Sequence, residues 1–167
     1  MLKYAGFAVI IAVTSFIGCY FSSALKTRLS NLKKINYLID EIIILLRFKA
    51  STVYEITDCL INNERFSEFD FLYNITSAEN ISFQQSWINA IKLRPPQNLK
   101  ASDIEILADI GRNLGKSDMD GQLSMLSLQR AELETLILEV EAEVGKKSKL
   151  YRSLGVLSGA FISVMLI

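Results

Sequence analysis

A chain of 167 residues with 18 basic and 18 acidic side chains is long enough for one compact soluble domain and too short for two. It contains no histidine and two cysteines, so neither zinc nor thiol catalysis has a visible constellation of residues. Half of the chain is hydrophobic, near the globular average, but that half is spread unevenly.

Leu2 to Leu25 carries one charge, Lys3, and Ser153 to Ile167 carries none. A helix needs about 20 apolar residues to cross a ~30 Å hydrocarbon core. The chain is therefore expected to divide into an N-terminal transmembrane helix at 1–24, a helical-bundle domain at 25–149 and a short C-terminal transmembrane helix at 150–167. Lys26, Arg28, Lys33 and Lys34 follow the first apolar run, and Lys146, Lys147, Lys149 and Arg152 precede the second. Both clusters lie on the central side. The positive-inside tendency then places the central domain in the cytoplasm and both termini across the membrane. Lys3 with the run behind it also has the form of a signal peptide, and Phe16-Ile17-Gly18-Cys19 faintly resembles a lipoprotein cleavage site. The run continues past Cys19 into a basic cluster, however, which favours an uncleaved anchor. These cations gain about 1 kcal/mol each beside anionic lipid. Because they sit where lipid phosphates already lie, nucleic acid is not an expected partner.

Between the anchors there is no glycine from Cys19 to Ile110, and the only prolines are Pro95-Pro96. That is helical composition with one punctuation mark. Leu25, Leu29, Leu32, Ile39, Ile43 and Leu46 recur at steps of three and four, the rhythm of helices packed along their length, with Asn36 interrupting the row. Ser51 and Thr52 can cap a second helix with Val53, Ile56 and Leu60 inward, and Asn62-Asn63 ends it. Phe66, Phe69, Leu72 and Tyr73 predict a third helix, and Cys59 reads as a small core residue. Ser82 opens a fourth helix, whose inward face is Phe83, Trp87, Ala90 and Ile91, with Trp87 as core anchor. Arg94, before Pro95, ends it. Ser102 to Glu105 has the form of a capping box for a fifth helix, with Ile104, Leu107, Ala108 and Gly111 on one face. Gly115 suits a left-handed stop. Ser117 or Asp118 can cap a last helix running on to Ile167, with a seam of Leu123, Leu126, Leu133, Ile137, Val140 and Val144 broken at Arg130. The first and last helices should run antiparallel and pair. The expected fold is all-α, an antiparallel bundle of about six helices flanked by two terminal transmembrane helices.

Gly115-Lys116-Ser117 is not a phosphate-binding loop: Ile110 stands where the required glycine would be, and a helix precedes it. No cofactor is implied. Residues 103–143 hold ten acidic groups against Arg112, Lys116 and Arg130. Five of them, Asp103, Glu105, Asp109, Asp118 and Asp120, fall near one helix–helix corner and could steer a basic partner. Gly155, Gly159 and Ser163 step by four along the last helix, a spacing that lets another membrane helix approach closely. That neighbour could be the first anchor, a second copy or another subunit.

The residues Leu107, Ile110-Gly111, Leu114-Gly115-Lys116-Ser117-Asp118, Gln122, Leu128 and Leu133, then Lys149-Leu150-Tyr151-Arg152-Ser153-Leu154-Gly155 and Gly159, together resemble the stage III sporulation protein AB family. Leu38–Ile56 and Ser86-Trp87 with Ala90 are similar too, and Thr52-Val53 departs from a Pro-Leu pair expected there. The resemblance implies a role in the assembly that joins mother cell and forespore, in the mother-cell membrane around the forespore. It also implies a soluble domain similar to the platform (F) protein of type II secretion and type IV pilus machines, docking a secretion-type ATPase. The expected function is thus a non-catalytic membrane scaffold, with ATPase, other membrane subunits and lipid as partners. The alternative is a membrane-anchored sensor or signalling adaptor whose helical domain responds to a ligand.

Overall fold

The computed structural model describes residues 2–49, 52–75 and 81–165. Within the two terminal helices, the side chains of residues 2–11, 49, 148, 152, 155, 156 and 159–165 stand outside that description. The described residues form five α-helices, α1 (Leu2–Lys49), α2 (Val53–Ile61), α3 (Phe83–Leu93), α4 (Ala101–Asn113) and α5 (Met119–Met165), and two single 3₁₀ turns at Glu64–Phe66 and Leu72–Asn74. The all-α expectation holds among them. They group into two compact units, one of Met1–Leu29 with Leu138–Ile167 and one of Ser30–Ile137.

The helix expected over Phe66–Tyr73 does not form. Phe66, Phe69, Phe71 and Leu72 are all buried, whereas Tyr73 is 56% exposed. Phe69 and Phe71 are two residues apart, which on an α-helix would point them about 200° from one another. Sending both rings into one core requires an irregular segment, and the 3₁₀ turns supply it.

In the Ser30–Ile137 unit the rings form a chain. Phe66 stacks with Phe69 (6.4 Å between centroids), Phe69 meets Phe71 (5.8 Å), and Phe71 meets Trp87 edge-on (5.4 Å). Trp87 in turn contacts Phe83 (5.9 Å), and Phe83 contacts Tyr54 (5.7 Å). Offset and edge-on geometries of this kind add to area burial because ring edges are positive and faces negative. The segment between α2 and α3 is fastened to α1 by Lys34–Glu68 (2.5 Å) and by the Arg65 guanidinium 4.6 Å over the Tyr37 ring.

Local chemistry explains the helix ends. Thr52 accepts the Glu55 amide while Glu55 accepts the Thr52 amide at 2.7 Å, a reciprocal cap on α2. Asn62 closes that helix. Ser82 caps α3 and Arg94 closes it. The box expected at Ser102–Glu105 is displaced. Helix α4 begins at Ala101, and the Asp103 carboxylate accepts the Lys100 amide at 2.9 Å. Asp103 is fully buried, so this cap lies on the inner side of the helix. Gly115 has φ +77°, the left-handed stop expected of it. Asp118 accepts the Gly121 amide at 3.2 Å and opens α5.

The α1 seam is wider than a two-helix seam and rotated from it, whereas the α5 seam keeps the expected three-and-four spacing through Leu126, Leu133, Ile137 and Val140. On α1 the buried residues are Leu32, Ile35, Leu38, Ile39, Ile42, Leu45 and Leu46, so Ile35 and Ile42 displace Asn36 and Ile43. On α5 they are Leu126, Gln129, Leu133, Ile137 and Val140. Gln129 takes the position expected of Arg130, which turns outward to Asp40 (2.8 Å) and Glu134 (3.2 Å). A helix with several neighbours buries a broad stripe and not the narrow a/d line.

In the other unit, α1 and α5 pair directly. Phe21 meets Tyr151 with ring centroids 6.0 Å apart, and Arg28 approaches Glu143 at 3.9 Å. The chain ascends along α1 as it descends along α5, so the two helices are antiparallel here. Among the described residues no helix is long and apolar enough to cross a membrane. Of the anchors expected at 1–24 and 150–167, the side chains of residues 2–11, 152, 155, 156 and 159–165 stand outside the description.

Candidate functional site

The corner where α4 turns into α5 is built by small residues and two glutamines. Trp87 of α3 packs so closely on Gly111 that a Cβ there would stand 2.1 Å from the indole Cδ1. Its Nε1 donates to the Leu107 carbonyl at 2.9 Å. Gln84 of α3 donates to the Leu114 carbonyl at 2.8 Å. Gln122 spans the turn itself, accepting the Gly115 amide and donating to the Ser117 carbonyl, both at 2.8 Å. The end of α4 is therefore held by hydrogen bonds from α3, and the turn into α5 by Gln122 of α5 itself.

The five acidic residues expected at this corner do different things. Asp103 is enclosed and caps α4; it is removed from any exposed face. Glu105 and Asp109 both take hydrogen bonds from Arg112, Asp109 at 2.7 Å. Those bonds, Glu105 first and then Asp109, raise the Arg112 pKa above its ordinary value. Asp118 is exposed but serves as the α5 cap. Asp120 is exposed one step further on. Beside these last two, Met119, Met125 and Leu128 are 41%, 42% and 55% exposed. The outward face here is thus acidic and apolar together, a mixture that charge counting alone did not reveal.

The basic residues also separate. Lys26, Lys146, Lys147 and Lys149 are exposed. Arg28 is 5% exposed and is a buried ion-pair partner, not a surface cation. Lys33 and Lys34 are half-buried. Lys147 donates to Glu143 at 2.6 Å, and that hydrogen bond, followed by the carboxylate's charge, raises the lysine pKa. Glu143 therefore lies between Arg28 and Lys147. Arg152, Gly155, Gly159 and Ser163 lie outside the residues whose surroundings are described.

Next to this charge cluster, in the same unit, an apolar groove of about 700 Å³ runs between α1 and α5. Thr14, Ile17, Gly18 and Phe21 line one side, and Tyr151, Leu154, Leu157 and Ser158 the other. Apolar side chains beside it face outward: Phe16 is 74% exposed and Tyr20 63%. No sequence reading named the groove, because its lining comes from opposite ends of the chain.

Cys19 and Cys59 are both free and exposed. Cys59 is thus not the core residue expected; Ile56, Thr57 and Leu60 form the inner face of α2 and turn it outward. Among the described residues no three His, Cys, Asp or Glu side chains group as metal ligands do.

Among the described residues these features define an all-helical protein with an aromatic-cored bundle and a long first and last helix that pair through Phe21–Tyr151 and Arg28–Glu143 and leave an apolar surface facing outward. The chain belongs to the stage III sporulation protein AB family, whose family model matches residues 3–167. Membership supports a role in sporulation. Comparison with curated proteins and with solved structures finds no match.

Proposed function

We propose that this protein is a non-catalytic membrane platform of a sporulation machine. Its α1–α5 pair is held in the mother-cell membrane around the forespore, and its bundle presents a docking face in the cytoplasm. The observation that carries the membrane part is the outward apolar surface of the paired helices, with Phe16, Ile17, Tyr20, Phe21, Leu150, Leu154 and Leu157 all about half exposed or more. Exposed Lys26, Lys146 and Lys149 follow directly at one end of it. Apolar surface of this extent on a small chain marks a membrane or protein contact, and lysines at its edge match the headgroup level.

The docking part rests on the start of α5, where exposed Asp118 and Asp120 stand beside exposed Met119, Met125 and Leu128. A basic, partly apolar partner fits such a face, with charge steering the encounter and the methionines adapting to the contact. A secretion-type ATPase is the proposed partner. The test is co-purification from sporulating-cell membranes with an Asp120→Arg, Met125→Lys variant, which spares the Asp118 cap. Loss of the ATPase at unchanged helical content supports the reading; undiminished recovery refutes it. Release of the whole protein by alkaline washing would refute the membrane placement separately.

A further inference from the structure

We propose that the groove between α1 and α5 is a binding site for one anionic glycerophospholipid, with an acyl chain along the groove and the phosphate at the Lys147 end. The inference rests on the membrane placement proposed above and goes beyond it, because bulk lipid needs no site.

Three observations carry it. The groove is apolar along its length, with Gly18 buried at its base and Phe21, Tyr151, Leu154 and Leu157 as walls. Thr14 to Phe21 and Tyr151 to Ser158 each advance about 10 Å along their helices, most of the ~15 Å depth of one leaflet. A chain methylene run fits that shape better than a polar ligand does.

The groove also has two chemically distinct ends. Phe21 and Tyr151 close it on one side at 6.0 Å. One helical turn beyond Tyr151 on the same face stands Lys147, and two turns beyond Phe21 stands Arg28. Both cations reach the carboxylate of Glu143, Lys147 at 2.6 Å and Arg28 at 3.9 Å. Lys147 is an exposed cation at this end of the groove, and its hydrogen bond to Glu143 raises its pKa.

Finally, Lys26, Lys146 and Lys149 are exposed around that end and make no ion pair among the described residues. Basic pockets between membrane helices attract anionic headgroups. An apolar trough leading to exposed lysines selects a ligand that is apolar at one end and anionic at the other.

The experiment uses the full chain in vesicles, with Trp87 as the constant background and two single-tryptophan additions. L157W reports from inside the groove; F16W reports from the exposed apolar surface beside it. Quenching is compared for brominated phosphatidylglycerol and brominated phosphatidylcholine at equal mole fraction. The expected result is equal quenching of the F16W reporter by both lipids. The L157W reporter should be quenched about fivefold more effectively by phosphatidylglycerol, the preference a single lysine supplies beside an anionic headgroup. Adding Lys147→Gln should remove that preference, and excess inorganic phosphate should not, since phosphate lacks the acyl chain. Equal quenching of both reporters by both lipids overturns the site and leaves the membrane placement standing. A shielded L157W reporter beside a quenched F16W reporter means that a second copy or another subunit's helix fills the groove, which also overturns it. Quenching at neither position refutes the membrane placement, and the lipid site with it. Circular dichroism of each variant checks that helical content is retained.

Discussion

The indole of Trp87 occupies the space that a side chain on Gly111 would need: a Cβ at residue 111 would lie 2.1 Å from Cδ1 and 2.2 Å from Cγ. Tryptophan on α3 and glycine on α4 are therefore a matched pair, and the orientation of the α4–α5 corner depends on both. Gly111→Ala should lower unfolding stability by about 1–3 kcal/mol, because the ring can move only by disturbing a packed core. Trp87→Ala should lose about 3–5 kcal/mol. In a Trp87→Ala, Gly111→Ala double variant the alanine at 111 meets open space, so chemical denaturation should show it to be much less harmful there than alone.

Two buried oxygens, Asn36 Oδ1 and Gln129 Oε1, have no hydrogen-bond partner among the described residues. An enclosed acceptor without a donor costs about 1–3 kcal/mol. Gln129→Leu keeps roughly the same volume at a position that is 8% exposed and removes the acceptor. It should raise the denaturation midpoint. A lower midpoint would show that Gln129 is satisfied in solution.

Gly115 combines φ +77° with a would-be Cβ 3.0 Å from Val53 Cγ1. Gly115→Ala therefore meets both backbone strain and contact with α2, and about 1–2 kcal/mol of destabilisation is expected from the left-handed conformation alone. Gln122→Ala should add to the effect by freeing the Gly115 amide and the Ser117 carbonyl. Hydrogen exchange should accelerate first at residues 115–122.

The Glu55 carboxyl is held below its ordinary pKa by the Thr52 amide first and the Thr52 hydroxyl second. Its contribution to stability is fully present above the ordinary glutamate value and is lost as pH falls through the lowered one. The wild-type protein should therefore lose more stability than a Glu55→Gln variant on passing from neutral into the acid range. Parallel acid-titration curves for the two would show that the cap does not contribute.

The Arg65–Tyr37 contact at 4.6 Å and the Lys34–Glu68 pair hold the 3₁₀ segment against α1. Arg65→Ala should cost about 0.5–1 kcal/mol, the range for an exposed cation over a ring. Protection should be lost chiefly at residues 64–75, as read by hydrogen exchange.

Much of this fold was legible residue by residue. Thr52, Ser82, Arg94 and Gly115 act where short-range chemistry says they should, since a cap or a left-handed stop is decided within four residues. Trp87 was readable as an anchor from its place on an apolar helical face. Which way a side chain faces the core was not legible in the same way, whether its partners lie near or far along the chain. Phe71 joins Phe66 and Phe69 in one core, which no single helical face allows. The carboxylate of Asp103 turns inward to cap its own helix, Arg28 is buried against Glu143, and Cys59 faces outward.

The same division holds for the candidate surfaces. The order of apolar, basic and amphipathic stretches by itself pointed to a helical chain whose first and last helices pair antiparallel, and the motif residues between Leu107 and Gly159 carried the resemblance to the stage III sporulation protein AB family. Those properties depend on period and sequence pattern, both of which are local. Only the tertiary structure decided which charges remain exposed. Glu105 and Asp109 are taken up by Arg112, and Glu143 by Arg28 and Lys147, whereas Asp120, Lys26 and Lys149 stay outward. It also formed the apolar groove, because Thr14 and Ser158 come together only when helices from opposite ends of the chain pack against each other.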